Sequence, residues 1–144
     1  MAAINPYLTF NGNCEEAFLF YQSVFGGEIS YMGRFKDMPT ENGMETSADD
    51  ANKIMHVAFP ISKETVLMGS DTSEAYGKVN LGTNFAISVN VESIEEADKI
   101  FNGLSAGGKV QMPMEKTFWG AYFGMFTDKF GINWMVNFDS NESK

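Results

Sequence analysis

The chain has 144 residues, 44% of them hydrophobic and 14% aromatic, with ten basic against nineteen acidic side chains and a net charge of −9. That length suits one domain with its own core, and the acidic balance disfavours nucleic acid and anionic membranes, which carry charge of the same sign. A single cysteine, Cys14, excludes an internal disulfide, and neither an 18-residue apolar run nor a charged segment ahead of an apolar one is present, so a cytoplasmic protein without span or leader is expected.

Taken in chain order, the first strand is expected over residues 7–10. Asn13 followed by Glu16 reads as the Asn form of a capping box. It opens a helix whose apolar positions Ala17, Phe20, Tyr21 and Val24 repeat at i, i+3, i+4 and i+7. The pair Gly26-Gly27 stops it, because glycine adopts the left-handed backbone of a helix end. A strand follows over residues 28–34. The polar stretch 36–52, with Pro39 and Gly43, reads as a long loop, a functional lid or simple disorder, with Asp49 and Asp50 solvated. Strands over 54–61 and 65–70 then form a hairpin turning at Ser62-Lys63-Glu64.

The same order begins again. A strand is expected over 85–91, and Ser93 with Glu96 forms a full capping box. The stripe Ala97, Ile100, Phe101, Leu104 and the stop Gly107-Gly108 follow, then a strand over 109–112. A second hairpin joins 121–127 to 132–138 through Asp128-Lys129-Phe130-Gly131. Cap, stripe, glycine stop and strand order recurring together point to an internal repeat. The fold class is therefore α+β: duplicated βαβββ units forming paired curved mixed sheets, in a single domain over residues 1–144 with repeats at about 4–71 and 83–138.

Several side chains are candidates for chemistry. His56 lies in the apolar strand Ile54-Met55-His56-Val57-Ala58-Phe59; it can serve as general base or donor near neutral pH, or as a satisfied structural histidine. Asp71 can orient His56 or a ligand, or begin the turn toward Ser73. Cys14, in the first turn of a helix, has either a dipole-stabilised thiolate or the role of a small apolar residue equivalent to Ile94. Trp119 and Tyr122 suit a pocket wall as well as packing. In the last strand Trp134 and Val136 alternate with Asn133, Met135 and Asn137, so one set meets a helix and the other faces a concavity or solvent. Asn84, Ser88 and Asn90 alternate with Phe85, Ile87 and Val89 in the same way. Such an amide and hydroxyl surface suits an uncharged polar ligand. No phosphate-cradling glycine loop, serine triad, zinc spacing or dinucleotide fingerprint is present, and no cofactor is expected.

The segments that carry a family resemblance are residues 4–13, Ala17 to Tyr21, Phe25-Gly26-Gly27, Leu67-Met68-Gly69-Ser70-Asp71, Phe118-Trp119-Gly120 and residues 128–134. In these the chain resembles the vicinal oxygen chelate superfamily of glyoxalases, extradiol dioxygenases and bleomycin-resistance proteins, and within it the PhnB-like branch. The resemblance implies a pocket formed by the two concave half-sheets, a homodimer, and an unidentified small organic molecule as partner. The superfamily's metal enzymes place a His, Gln or Glu on the first and last strands of each half. Those four positions fall here on Pro6, Met68, Asn84 and Met135, a donor set unsuited to a hard or borderline divalent ion. The resemblance thus implies a binding protein without the usual metal site, with Met68, Asp71, Asn84, Trp119, Tyr122, Asn133 and Met135 around the ligand. The alternative is an isomerase, lyase or transferase type of enzyme using His56 as acid/base.

Overall fold

In the computed structural model, which describes residues 2–37 and 47–139, one strand, one helix and three strands follow each other twice. The chain divides into two compact units, Met1–Asn80 and Leu81–Lys144. The first holds β1 (Tyr7–Phe10), α1 (Cys14–Phe25), β2 (Tyr31–Arg34), β3 (Ile54–Pro60) and β4 (Val66–Asp71), with a 3₁₀ turn at Phe35–Asp37. The second holds β5 (Ile87–Asn90), α2 (Ile94–Ser105), β6 (Lys109–Lys116), β7 (Ala121–Thr127) and β8 (Asn133–Asp139). The sheet orders are β1-β4-β3-β2 and β5-β8-β7-β6. In each, the first strand runs parallel to the last and the other pairings are antiparallel. The expected fold class is thereby met.

Each helix covers one face of its own sheet, and strand alternation sorts the side chains between helix and open face. In the first unit Leu8, Phe10, Val57, Phe59 and Leu67 are buried with Phe18 and Tyr21 of α1. Gly69 lets β4 approach the helix, since a Cβ there would lie 2.6 Å from the Leu8 carbonyl and 2.8 Å from the Phe18 ring. In the second unit Phe101 packs edge-on against Phe126 at 5.0 Å, and Trp134 and Val136 are buried beside them. A Cβ at Gly124 would lie 2.7 Å from Phe101. Close helix packing therefore needs glycine in one strand of each sheet.

The helix starts differ. Ser93 accepts from the Glu96 N–H at 3.0 Å, and Glu96 reaches back to the Glu92 N–H rather than to that of Ser93. Asn13, by contrast, makes no side-chain cap bond. The Asn capping box is not formed; Asp71 Oδ1 instead accepts from the Gly12 and Cys14 N–H groups on either side of Asn13. The buried stripe of α1 is also displaced by one turn from the expected one: Cys14, Ala17, Phe18 and Tyr21 are buried, whereas Phe20 and Val24 are half-buried. In α2 the expected stripe Ala97, Ile100, Phe101, Leu104 is the buried one. Cys14 and Ile94 are thus not equivalent, for Cys14 is fully buried and Ile94 is 42% exposed.

Both glycine stops use left-handed backbone, and the second adds a close approach. Gly26, Gly27 and Gly107 have φ of +77°, +82° and +78°, a backbone state that strains other residues. Gly108 is needed for space instead: a Cβ there would lie 2.9 Å from the Asp128 backbone and closer still to the Thr127 carbonyl.

Strand limits shift modestly. β2 begins at Tyr31 rather than at residue 28, and β5 at Ile87 rather than 85. β6 runs on to Lys116, past Pro113, with two register irregularities; it is an edge strand, where proline is tolerated. Most of the expected loop at 36–52 lies outside the described residues. Asp50, at its described end, is buried and not solvated: its carboxylate accepts from the Glu74 N–H and from Lys53 Nζ, each at 3.0 Å, and its own N–H donates to Ser47.

Candidate functional site

The open face of the first sheet, opposite α1, is aromatic at both edges. One rung across it reads Tyr7, Met68, Ala58, Tyr31, from β1 through β4 and β3 to β2. His56, two residues before Ala58, shares their face and stands opposite Gly33. The Tyr7 side chain reaches across β4 so that its hydroxyl lies 3.2 Å from His56 Nδ1. The two rings are stacked with centroids 5.7 Å apart, and the Tyr31 ring lies 6.0 Å from the imidazole on a second side. Tyr31 folds back over Gly33; a Cβ at that position would lie 2.8 Å from Tyr31 Cζ. No described residue bonds His56 Nε2, and no polar side-chain atom among the described residues is buried without a partner, so Nε2 meets solvent. Tyr7 and Tyr31 are each about half exposed.

Asp71 does not join this group. It alternates with Leu67 and Gly69 onto the helix face, where it is 3% exposed. Its Oδ1 takes the N–H groups of Gly12 (2.9 Å) and Cys14 (3.0 Å), and Oδ2 takes that of Ile54 (2.9 Å). Asp71 therefore neither orients His56 nor opens the turn; it joins the start of α1 to the start of β3. Burial, with Asp71 and Glu15 nearby, pushes the Cys14 thiol well above the ordinary thiol range, so this sulfur is not a thiolate.

The open face of the second sheet has different chemistry. Met135 stands between Ser88 and Met125, and Asn137 between Asn90 and Phe123. Asn137 donates to Asn90 at 3.2 Å. Asn133 is engaged on both ends of its amide: Nδ2 donates to the Gly82 and Phe85 carbonyls, and Oδ1 accepts from Thr127, whose hydroxyl in turn accepts from Gln111. That relay holds the segment ahead of β5 to the sheet. Asn84 lies within this segment, exposed, outside the strand.

The remaining two sequence candidates stand elsewhere. Tyr122 alternates with Gly124 and Phe126 onto the helix face and donates to Asp98 of α2 at 2.7 Å, a bond that raises its pKa above that of a free phenol. Trp119 is in the β6–β7 turn, 57% exposed, edge-on to the almost fully exposed Phe118 at 5.0 Å. Of the sequence candidates in the first unit, then, His56 and Met68 share a face, and in the second Asn133 and Met135 do. Tyr7 and Tyr31 were missed as partners of His56. Counting strand parity back from His56 to its neighbours in a β1-β4-β3-β2 sheet was the signal that places them together.

Of the four positions that the resemblance aligns with metal ligands, Met68 and Met135 offer only thioethers, Pro6 no side-chain donor and Asn84 an amide oxygen. Pro6 precedes β1, whose residue opposite Met68 is Tyr7. No group of three or more His, Cys, Asp or Glu suited to a metal occurs among the described residues.

Two mixed four-stranded sheets, each ordered first-last-third-second with one helix against it, define the glyoxalase/bleomycin-resistance type of α+β fold. The family model described as Glyoxalase/Bleomycin resistance protein/Dioxygenase superfamily matches residues 3–136, and the chain belongs to that superfamily. Within it the chain is PhnB-like. A PhnB protein from Bacillus cereus is 26% identical with a TM-score of 0.74, over 95% of this chain and 99% of that one. Protein PA1353 from Pseudomonas aeruginosa is 45% identical with a TM-score of 0.85, over 96% and 98%. Protein YjdN of Escherichia coli (strain K12) is 34% identical over 142 residues, 93% of either chain. No helix among the described residues is long and apolar enough to cross a membrane.

Proposed function

We propose that this chain is a metal-independent binding protein that seats a small organic molecule on the open face of the first sheet, around His56. The observation that carries this reading is the solvent-facing Nε2 of His56 between two half-exposed tyrosine rings. Rings with polar tips beside one hydrogen-bonding group, on rigid strands rather than loops, supply apolar contact and orientation together. Met68 adds an adaptable apolar contact in the same rung. Membership of a superfamily that includes bleomycin-resistance proteins supports binding without turnover.

A thermal-shift screen of metabolites and antibiotics tests this. A ligand present at a hundred times its dissociation constant stabilises by about 2.7 kcal/mol, which is several degrees in melting temperature. The expected hit loses its effect in His56→Ala. A library without any stabilising compound, or a hit indifferent to His56→Ala, contradicts the proposal. A stoichiometric divalent ion in the purified protein contradicts its metal-independence.

The same open nitrogen favours one second reading, an isomerase, lyase or transferase step with His56 as acid or base. Its mark is a His56→Ala variant that binds normally and loses turnover. We propose further that the protein is a cytoplasmic homodimer, to be checked by light scattering for the dimer and by fractionation of cells for its compartment.

A further inference from the structure

We propose that Tyr7 is a positioning residue that sets the tautomer of His56, with the proton of the neutral ring on Nε2, so that this face offers a hydrogen-bond donor and selects ligands with an exposed acceptor oxygen, such as a carbonyl. The inference rests on the reading of this face as the ligand face, and it deepens it by fixing the polarity of the central group.

The chemistry of the Tyr7–His56 bond sets that polarity. In a neutral imidazole one nitrogen donates and the other accepts. A phenol is a stronger donor than acceptor, because its oxygen lone pair is delocalised into the ring, whereas the unprotonated imidazole nitrogen is a good acceptor. Tyr7 Oη, 3.2 Å from Nδ1, therefore donates to it and leaves the proton on Nε2. Among the described residues no carboxylate takes part: Asp71, the buried acid of β4, is on the opposite face and holds three backbone N–H groups. A histidine acting as base usually has a carboxylate or carbonyl on its protonated nitrogen and a free lone pair toward the substrate. Here the lone pair is engaged and the N–H is free. Tyr31, lying over Gly33, leans against the ring from a second strand and limits its rotation.

His56 is the only histidine of the chain, so its two ring nitrogens are identified directly in a long-range nitrogen–proton NMR spectrum of the uniformly labelled protein. At a pH where the ring is neutral, the expected spectrum has a protonated Nε2 and an unprotonated Nδ1, with a preference stronger than that of an unrestrained histidine peptide. In Tyr7→Phe, which keeps the ring and the strand, both nitrogen shifts move toward those of the peptide. Added benzamide, as a carbonyl probe, shifts the Nε2 signal in the native chain, while ethylbenzene, of similar shape without an acceptor, does not.

A protonated Nδ1 in the native protein, or identical shifts in Tyr7→Phe, overturns the inference while leaving binding at this face intact. Equal shifts with benzamide and ethylbenzene overturn the selectivity for acceptors. If compounds that stabilise the protein leave the His56, Tyr7 and Tyr31 signals unmoved, it is the ligand face itself that is wrong, whatever the tautomer.

Discussion

In the first unit the buried carboxylate of Asp71 stands at the end of β4 and joins two elements, α1 and β3, through three backbone N–H groups. In the second, Asp128 stands in the β7–β8 turn, where it accepts from the Phe130 and Ile132 N–H groups and from the Trp134 indole at 2.8 Å. Both acids are 3% exposed, and each satisfies at least three donors. One ties distant parts of its unit together; the other ties a turn to its own strand. The open faces differ as well, with tyrosine and histidine on the first sheet and methionine, amides and hydroxyls on the second. A shared topology thus leaves each unit free to solve capping and to present chemistry in its own way.

The largest expected effect comes from the buried acids. Asp71→Ala leaves the buried N–H groups of Cys14 and Ile54, and the part-buried one of Gly12, without acceptors; at about 1–3 kcal/mol for each buried group, we expect a loss of roughly 3 kcal/mol or more in urea denaturation. Hydrogen exchange should quicken in α1. Asp128→Ala should instead perturb the fluorescence of Trp134 and spare the protection of α1. Equal loosening of both units by both variants would break the contrast between a long-range tie and a local one.

A smaller effect concerns acid. Among the described residues both ion pairs, Glu15–Arg34 and Asp50–Lys53, lie in the first unit. Arg34 holds the Glu15 carboxyl below its usual value, and the Glu74 N–H, then Lys53, do the same for Asp50. A carboxyl lowered on folding adds stability above its unfolded pKa and loses it as pH falls through the folded one. Acidification below about pH 4 should therefore quicken exchange in the first unit before the second. Asp50→Asn should be destabilising near neutrality and nearly silent in acid. A cost independent of pH would remove the electrostatic part of the comparison.

The smallest effect on stability, and the sharpest on the face, is expected from Gly33→Ala. The three atoms nearest the added methyl all belong to the phenol end of the Tyr31 side chain, which can swing away. Melting should change by a degree or two, a cost below about 0.5 kcal/mol, while the ring-current shift of His56 from Tyr31 is lost. No corresponding change is expected on the second sheet.

Much of this organisation was legible in the chain. Periods of 3.6 and 2 with glycine stops located both helices and all eight strands to within a few residues, β6 excepted, because those signals are local. Asp71 was not legible as a cap, since the N–H groups it serves at Gly12 and Cys14 lie 59 and 57 residues away. Asn13, beside the helix, looked the better cap and makes no such bond. For Tyr122 the sequence leaves pocket wall and packing both open; only the register of β7 against β8, and the Asp98 bond, show it facing α2. Tyr7 and His56 meet across 49 residues and an intervening strand, a proximity that strand order creates and composition does not contain.

The burial of Cys14 has one further consequence. The chain's sole sulfhydryl sits under the first turn of α1 with its proton held on, at the junction where Asp71 gathers helix and strand. A thiol-modifying reagent cannot reach it until that junction parts, so the rate of alkylation becomes a built-in clock for opening events in the amino-terminal half.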